Sequence, residues 1–343
     1  MGYFVLHLIS AWMLVWALSN CSSGSSSSNL QVIYDRKGEK LPDQDARSDQ
    51  VDWTILSQNS PEGVIANSVG LLRISSGFGN CTAFLLKSTP QKVGVPSYAV
   101  TSGHCLKGPS GEFLEPDRVF TNYPLAGELV FNFFKDAPFS TYKVVTVKGV
   151  QYSTMKSIDL GLLELSETSS ALSEQGFLGL SLASNLQKVP DVSDSTEHVI
   201  LIGIPFGGLS ENDIFLRYSN CSAGNNVPLL REGTYSFTQT IQHQCSALEG
   251  SSGSPLLLMR DHNLLPEVLA IHTTSVKDNT SGLPDCDLNR PCEVYPDGAG
   301  GWLDPVSKVA ENYAQSLASL AGCFTEDGFF DLYLASCKLE KPQ

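Results

Sequence analysis

The sequence predicts an all-β protein, because short apolar runs recur along it, turn residues separate them and few helical patterns occur. Between residues 64 and 275, runs rich in Val, Ile, Phe, Tyr and Thr alternate with Gly, Pro, Asn and Asp. Such spacing favours antiparallel barrels or sandwiches over a parallel sheet with intervening helices. The strands predicted in this region are 69–74, 82–86, 98–101, 129–134, 142–150, 159–165, 198–204, 234–241, 255–258 and 268–273.

Composition and charge narrow the class of protein. With 343 residues, 42% hydrophobic and 17% charged, the chain has the composition of a folded protein with a sizeable core. Acidic residues outnumber basic ones by 36 to 22, the net charge is −14, and no cluster of Lys or Arg occurs. Nucleic acid is therefore not an expected partner, because its binding requires a basic surface.

The first 61 residues predict export and a tether. Residues 3–18 are almost wholly apolar and short for a membrane span, so residues 1–20 are predicted as a signal peptide. The run ends in Leu-Ser-Asn-Cys, similar to a bacterial lipobox in which Cys21 is lipidated and attaches the chain to a membrane. Asn20 and the absence of a basic leader depart from that pattern, so ordinary signal cleavage and an uncleaved anchor are the alternatives. The Ser-rich segment 21–61 is predicted as a flexible tether.

The cysteine count agrees with an exported protein, either in the cell envelope or secreted. If Cys21 is lipidated, eight of the nine cysteines remain, enough for four disulfides in an oxidising compartment. The spacing of cysteines and histidines is unlike that of a zinc site, so we expect neither metal nor cofactor. Neighbours along the chain suggest the pairs Cys81 with Cys105, Cys221 with Cys245, Cys286 with Cys292 and Cys323 with Cys337. Exchange among the last four cysteines stays open, because spacing alone does not determine connectivity.

The chain after the barrels, which we place at 62–303, predicts a helix and a stapled tail. Asp304 suits an N-cap and Pro305 the first helical turn, and apolar residues then recur at helical spacing to residue 321. Segment 322–343 is predicted as a hairpin closed by Cys323 and Cys337, with Asp327 and Gly328 in the turn.

The loop Glu-Gly-Ser-Ser-Gly-Ser-Pro at 249–255 is the most specific chemical signal. A serine between glycines on a tight turn exposes its hydroxyl, and the amides of Gly250 and Ser252 converge as an oxyanion hole requires. The alternative interpretation is a Gly/Ser-rich hairpin loop without catalytic function.

Two further segments carry the partners that a serine nucleophile needs. His104 ends an apolar run beside Cys105, and a histidine is the usual base for serine. Asp159 opens the apolar strand 159–165, where a carboxylate must be paired, for example with a histidine ring nitrogen. Taken singly, His104 could be a structural strand-end histidine and Asp159 a turn cap.

Together these segments resemble the chymotrypsin-like serine peptidases, in the bacterial branch that includes V8-type glutamyl and lysyl endopeptidases. Four blocks carry the resemblance in the family's order: Cys-Thr-Ala-Phe at 81–84, Thr-Ser-Gly-His-Cys at 101–105, Asp-Leu-Gly-Leu-Leu at 159–163 and Gly-Ser-Ser-Gly-Ser-Pro at 250–255. The resemblance implies two six-stranded antiparallel β-barrels with the catalytic residues at their junction. It also implies that Ser252 is the nucleophile, His104 the base, Asp159 its orienting partner, and the amides of Gly250 and Ser252 the oxyanion hole. The expected function is an exported serine endopeptidase acting on polypeptides, and the alternative is an inactive binding protein on the same fold.

The resemblance leaves the cleavage specificity open. It implies that Ser246 and Ala247 lie at the base of the primary pocket and that His272 lies on its wall. Neither Ser246 nor Ala247 is charged, which favours an uncharged substrate residue slightly. A histidine at His272 is shared by glutamyl and lysyl endopeptidases, and Asp278 or Asp285 could supply a charge for a basic residue, so acidic and basic substrates stay open.

Overall fold

Antiparallel strands make up most of the folded chain. The computed structural model describes residues 53–75, 80–87, 94–183, 197–207, 209–260, 266–275, 286–288, 290–307 and 312–342. In chain order the strands are β1 (Thr54–Ile55), β2 (Val69–Ile74), β3 (Asn80–Leu85), β4 (Pro96–Thr101), β5 (Val119–Tyr123), β6 (Gly127–Phe131), β7 (Lys143–Thr154), β8 (Leu160–Thr168), β9 (Ser181–Leu182), β10 (Glu197–Gly203), β11 (Arg217–Cys221), β12 (Ala223–Val227), β13 (Leu229–Glu232), β14 (Tyr235–Phe237), β15 (Thr240–His243), β16 (Pro255–Arg260), β17 (Glu267–Ser275), β18 (Cys292–Val294), β19 (Val306–Ser307) and β20 (Asn312–Ser316). The α-helices are α1 (Pro61–Ala66), α2 (Ser169–Glu174) and α3 (Ala318–Ala321).

The first sheet is a closed six-stranded barrel, as predicted. Its strands neighbour one another in the order β7-β6-β2-β3-β4-β8, and β8 pairs again with β7. Strand β7 is 12 residues long, and its register against β8 shifts near Gly149, which lets one strand bend round to pair with β6, β5 and β8. Closure leaves β4 and β8 adjacent, and these two strands lead into and out of the site described below.

The second sheet is a half-barrel, unlike the closed barrel that was predicted, although the all-β class is confirmed. Its order is β1-β11-β10-β16-β17-β20-β15-β12, with β9 pairing to β17. The short N-terminal strand β1 occupies the outer edge of β11, and β12 pairs with β15. In the described ranges β11 and β12 therefore do not pair, because a strand edge accepts one partner at a time. A small third sheet has the order β14-β13-β18-β19.

The segment at 304–321 corrects the prediction of a four-turn helix. Residues 312–316 form β20, which fills the gap between β17 and β15, and of the residues described in this segment only α3 is helical. Tyr313, Ala314, Gln315 and Ser316 are all buried, so both faces of this strand are covered. A helix here would leave the facing edges of β15 and β17 without hydrogen-bond partners, which outweighs the local helical periodicity.

The folded domain begins earlier than predicted. Trp53 and Leu56 are buried, and β1 pairs with β11, so the last residues of the predicted tether 21–61 belong to the domain. Helix α1 then begins at Pro61, and its N-cap Ser60 accepts a hydrogen bond of 3.0 Å from the Gly63 amide. The predicted signal peptide 1–20, Cys21 and the remainder of the tether lie outside the described residues.

The main core cluster joins both sheets and the C-terminal tail. It contains Phe84 and Leu160 of the first barrel, Ile202 and Leu257 of the second sheet, and Leu332 of the tail, all at most 5% exposed. Apolar burial at this junction contributes most of the favourable free energy that holds the two sheets together. The junction is therefore a rigid support for side chains from both sheets. No helix among the residues described here is long and apolar enough to cross a membrane.

The tail folds as the predicted stapled hairpin. Phe324 and Phe330 face each other in an antiparallel bridge, the Thr325 amide donates to the Phe329 carbonyl, and Gly328 takes a φ of +87° in the turn. A disulfide between Cys323 and Cys337 closes the segment.

Four disulfides join the predicted neighbours along the chain. They are Cys81–Cys105, Cys221–Cys245, Cys286–Cys292 and Cys323–Cys337. This many disulfides is typical of a protein in an oxidising, extracytoplasmic compartment.

Candidate active site

His104 lies in a single helical turn directly after β4. The turn spans Gly103–Cys105, and the disulfide from Cys105 to Cys81 ties it to β3. A Cβ atom on Gly103 would lie 2.2 Å from the carbonyl oxygen of Thr154, so only glycine fits beside β7. This close approach brings the turn against the start of β8, where Asp159 is found.

His104 and Asp159 are joined by two hydrogen bonds. The His104 amide donates to Asp159 Oδ1 at 2.9 Å, and His104 Nδ1 lies 2.6 Å from Asp159 Oδ2. The Asp159 side chain is 2% exposed and that of His104 38% exposed. The carboxylate therefore fixes the orientation of the imidazole from the buried side, while the ring's other edge faces solvent.

The pKa of His104 is raised above its ordinary value of 6.5. Burial of the imidazole lowers the pKa, but the charge of Asp159 and its hydrogen bond favour the protonated ring, and the charge of Glu232 acts in the same direction. The net effect is that the His104 ring binds a proton more readily than an unperturbed imidazole does.

The loop that carries Ser252 is held by a residue of the opposite barrel. Thr82, on β3, donates from its amide to the Ser252 carbonyl at 2.9 Å and from Oγ1 to the Gly250 carbonyl at 2.9 Å. On the other side, the Gly253 amide donates to the His272 carbonyl at 2.8 Å. Thr82 therefore holds both carbonyls that flank Ser251: its side chain bonds to that of Gly250 and its backbone amide to that of Ser252.

The amide of Gly250 is aimed by the peptide before it. The Glu249 carbonyl accepts hydrogen bonds from the amides of Phe206 and Gly207, at 2.8 and 3.0 Å. In a planar trans peptide the N–H points opposite to the C=O, so the Gly250 N–H points away from these two residues. Within the described part of the chain, neither this amide nor that of Ser252 donates to another protein group. Both are free to bind an anion.

His104, Asp159 and Ser252 line one cavity of about 360 Å³. Its remaining walls combine polar and apolar side chains; they comprise Phe113, Leu114, Met155, Glu232, Tyr235, Leu248, Glu249, His272, Thr273, Thr274, Ser275 and Leu288. Ser252 and His104 therefore lie on a common surface. Of the predicted pocket residues, His272 is part of this wall.

Ser246 and Ala247 are placed elsewhere. Ser246 is buried, and its amide donates to Ser219 Oγ at 2.9 Å, while Ala247 packs against the core of the second sheet. Neither lines the cavity, whose wall begins at the next residues, Leu248 and Glu249. The other candidates for a pocket charge, Asp278 and Asp285, lie outside the described residues.

A second histidine, absent from the sequence prediction, supports His272. His243 Nε2 lies 3.0 Å from His272 Nδ1, and His272 Nε2 lies 3.2 Å from Ser275 Oγ. Burial lowers the pKa of His243 to about 3, and burial together with the neighbouring imidazoles lowers the pKa of His272 well below 6.5. Both rings are therefore neutral near pH 7.

Among the residues that the structure describes, two groups of histidine and cysteine lie close enough to suggest metal ligands. They are Cys81, His104 and Cys105 in the first barrel, and Cys221, His243 and Cys245 in the second sheet. In both groups the cysteines are joined in disulfides, so neither provides the thiolates that a metal site would use.

Sequence reasoning also missed Glu232 and Tyr235. They lie on β13 and β14 of the small third sheet, and Tyr235 donates from its hydroxyl to the Leu114 carbonyl at 3.1 Å. No local sequence pattern marks Glu232, because Thr274 and His104, which lie near it in the structure, are distant from it in sequence.

Three solved structures of proteases have partial similarity to this chain. A Glu endopeptidase in complex with MPD is 12% identical, with 79% of this chain and 93% of that chain covered and a TM-score of 0.47. The thermostable serine protease AL20 from an extremophilic microorganism is 14% identical, with 74% and 92% covered and a TM-score of 0.43. The MamO protease domain from Magnetospirillum magneticum is 11% identical, with 77% and 99% covered and a TM-score of 0.40.

No curated protein sequence matches the chain. The family described as "Trypsin-like peptidase domain" matches residues 81–265, more than half of the sequence, and includes the segments of His104, Asp159 and Ser252. The chain belongs to the trypsin-like peptidase domain family.

Proposed function

We propose that this protein is an active serine endopeptidase that hydrolyses polypeptides through His104, Asp159 and Ser252. The observation that carries the proposal is the doubly hydrogen-bonded His104–Asp159 pair in the same cavity as Ser252. A structural histidine or a turn-capping aspartate would not require a cavity with a half-buried serine and unengaged amides beside it.

The mechanism assigns one role to each group. Ser252 Oγ attacks the carbonyl carbon of the peptide bond as His104 Nε2 takes its proton. Asp159 holds the imidazole through Nδ1 and stabilises the cation that forms. The protonated His104 then gives its proton to the leaving amine, and an acyl-enzyme remains on Ser252. Water, deprotonated by His104, attacks the acyl carbon and releases the second product.

The amides of Gly250 and Ser252 stabilise the negative charge that develops on the substrate oxygen. The anchored Glu249 carbonyl supports this role, because it keeps the Gly250 N–H pointed away from Phe206 before substrate binds. A preorganised donor of this kind contributes about 10²- to 10³-fold to the rate.

A fluorophosphonate probe tests the nucleophile directly. We expect the purified protein to be labelled on Ser252, and labelling and peptide hydrolysis to disappear in Ser252→Ala. Ser254→Ala is the matched control, because the Ser254 hydroxyl is buried two residues away without a hydrogen-bond partner. An unlabelled wild-type protein that is folded contradicts the proposal and favours the inactive, peptide-binding alternative.

His104→Ala tests whether the residues act together. We expect loss of hydrolysis, and the double variant His104→Ala with Ser252→Ala to be no worse than either single variant, since triad residues act as a unit. Independent, multiplicative losses would contradict the assignment. Circular dichroism checks that each variant is folded.

We further propose that the enzyme acts outside the cytoplasm, attached to a membrane through lipidated Cys21. The disulfides support the compartment, and the Leu-Ser-Asn-Cys segment supports the lipid. Intact-mass measurement of the mature protein should give a chain that begins at Cys21 with a lipid adduct. A mature chain that begins elsewhere without an adduct contradicts the attachment and favours a secreted form.

A further inference from the structure

Ser157 has an unusual backbone conformation two residues before Asp159. Its φ is +62°, in the left-handed region that favours glycine and asparagine, although it is neither. The residue lies in the connection between β7, which ends at Thr154, and β8, which begins at Leu160. A serine keeps such a conformation only where surrounding contacts hold it, and residues of this kind concentrate near functional groups. The contacts of Ser157 therefore bear on the backbone that leads into Asp159.

A single residue between β14 and β15 donates two hydrogen bonds to Ser157. The Ser157 carbonyl accepts from the Thr238 amide at 2.8 Å and from Thr238 Oγ1 at 3.3 Å. Phe237, the residue before Thr238, ends β14 and forms a parallel bridge with Ser157. Phe237 is 1% exposed and belongs to a core cluster that also contains Leu163 of β8. The donor residue is therefore anchored on its N-terminal side.

Thr238 is also fixed to the second sheet on its C-terminal side. Gln239, the next residue, has a positive φ as well, +56°. Its carbonyl accepts from the Ser316 amide at 2.9 Å, at the end of β20, and its side-chain Oε1 accepts from Ser319 Oγ at 3.1 Å. The contact between Thr238 and Ser157 therefore joins the β7–β8 connection to β20, across the barrel junction.

The other described contacts of the β7–β8 connection constrain its direction less. The Lys156 amide bonds locally, to the side-chain oxygen of the residue two positions earlier. Lys156 Nζ lies 3.3 Å from Glu340 Oε2, but that glutamate is 46% exposed, and exposed ion pairs contribute little. Ile158 is buried in the main core, and apolar packing is not directional. Among the described contacts, the bonds from Thr238 are therefore the principal directional constraint on this connection.

The direction of the peptide group after Ser157 matters for the pair of His104 and Asp159. Both carboxylate oxygens of Asp159 are engaged by His104, and the distance from Nδ1 to Oδ2 is 2.6 Å. A hydrogen bond weakens when its atoms are displaced or misaligned. Movement of the backbone at Ser157 would therefore change how firmly the carboxylate orients the imidazole.

We propose that Thr238 is a positioning residue for Asp159, acting through the Ser157 carbonyl. The inference rests on the proposed function, because Asp159 is taken to be the partner of the catalytic base. It gives the segment between β14 and β15 the task of holding the Asp159 side of the active site in place against the second sheet.

A backbone ester at Thr238 tests the inference with little change in shape. Incorporation of the α-hydroxy acid analogue of threonine by nonsense suppression replaces the Thr238 N–H with an oxygen, which removes the donor and opposes two oxygens. The matched control is the same ester at Thr234, an exposed threonine of the same hairpin whose amide makes no hydrogen bond among the described loop contacts. In the Thr238 ester we expect kcat to fall about tenfold or more, with KM changed less than about twofold. The Thr234 ester should match the wild-type protein.

The pKa of His104, measured by NMR titration in protein that also carries Ser252→Ala, gives a readout that does not require catalysis. The titratable groups that act on this ring are Asp159 before β8, Glu232 on β13 and the neutral His272 on β17. Asp159 favours the protonated ring, so a weakened pair should lower the pKa of His104. We expect a value at least about 0.5 lower in the Thr238 ester than in the Thr234 ester.

Thr238→Val keeps the inference testable if the ester protein is unstable. It removes the hydroxyl and keeps the amide, and we expect kcat to fall about two- to threefold relative to Thr234→Val. Equal kcat in these two variants would then overturn the inference. A folded Thr238 ester with the kcat of the wild-type protein or an unchanged pKa of His104 overturns it directly, as does an equal effect of the Thr234 ester. A wild-type protein without activity or fluorophosphonate labelling, but with the expected pKa difference between the esters, contradicts only the proposed catalytic function.

Discussion

Thr82 of the first barrel holds Ser252 of the second, through an amide-to-carbonyl hydrogen bond of 2.9 Å. The Thr82 hydroxyl donates to the Gly250 carbonyl and accepts from the Ile204 amide at 3.0 Å. Thr82 therefore bonds to Ser252, to Gly250 and to Ile204, the residue that follows β10. The position of Ser252 relative to His104 depends on this contact between the two sheets.

Replacing Thr82 with valine should impair catalysis more than binding. The change keeps the side-chain volume but leaves the buried Ile204 amide without its acceptor, at a cost of about 1–3 kcal/mol of unfolding free energy. We expect kcat to fall about 10- to 100-fold with a smaller change in KM, because the reacting groups are displaced. Thr82→Ser keeps the hydroxyl and should retain most of the activity; steady-state kinetics that show equal loss in both variants would contradict a positioning role.

Gly250→Ala should abolish most activity, and Gly176→Ala should not. Both glycines have a positive φ, +97° and +89°, so both substitutions strain the backbone similarly. A Cβ on Gly250 would lie 2.2 Å from Phe206 Cδ1, whereas a Cβ on Gly176 meets nothing within 4 Å. The Gly250 amide must therefore move, and we expect kcat to fall about 10²-fold or more. Similar activity in the two variants would mean that this amide does not stabilise the transition state.

The pH dependence of kcat/KM should report the raised pKa of His104. The base must be neutral, so activity is lost as the pH falls through that pKa, with a midpoint above 6.5. Glu232→Gln removes one of the charges that favour the protonated ring, and the midpoint should move to lower pH. The exposed-site control Glu326→Gln should leave the midpoint unchanged, and a profile unaltered by Glu232→Gln would contradict the proximity of the two side chains.

Two disulfides of equal span allow stability to be separated from catalytic positioning. Cys81–Cys105 and Cys221–Cys245 each join residues 24 apart, so in the chain-entropy description each stabilises by about 3.5 kcal/mol. Replacing either pair with alanines should lower the melting temperature by a similar amount. Cys81 is adjacent to Thr82 and Cys105 is adjacent to His104, so only loss of this disulfide loosens the segments of both residues. We expect the larger fall in kcat in the variant that lacks Cys81–Cys105. Equal kcat values for the two double variants, measured below both melting temperatures, would refute this difference.

The C-terminal segment shows where local pattern and long-range pairing compete. Residues 306–320 repeat apolar side chains at helical spacing, yet residues 312–316 pair with β15 and β17. Helical periodicity is a property of consecutive residues. The open edges of β15 and β17 on either side of residues 312–316 come from distant parts of the chain. Their unsatisfied backbone groups decide the outcome. The second sheet stays a half-barrel for a related reason. Strand β1 pairs with the outer edge of β11, and the local sequence does not predict that pairing.

The sequence by itself determined the all-β class, the order of the blocks around His104, Asp159 and Ser252, the pairing of neighbouring cysteines and the Asp-Gly turn of the tail. These features depend on residues close together in the chain, where side-chain chemistry and backbone preference act directly. Only the tertiary structure decided that Glu232 and Tyr235 line the cavity, that His243 lies behind His272, and that Ser246 and Ala247 lie away from the cavity wall. These outcomes depend on which strand edges meet across the barrel junction, and no local pattern encodes that pairing.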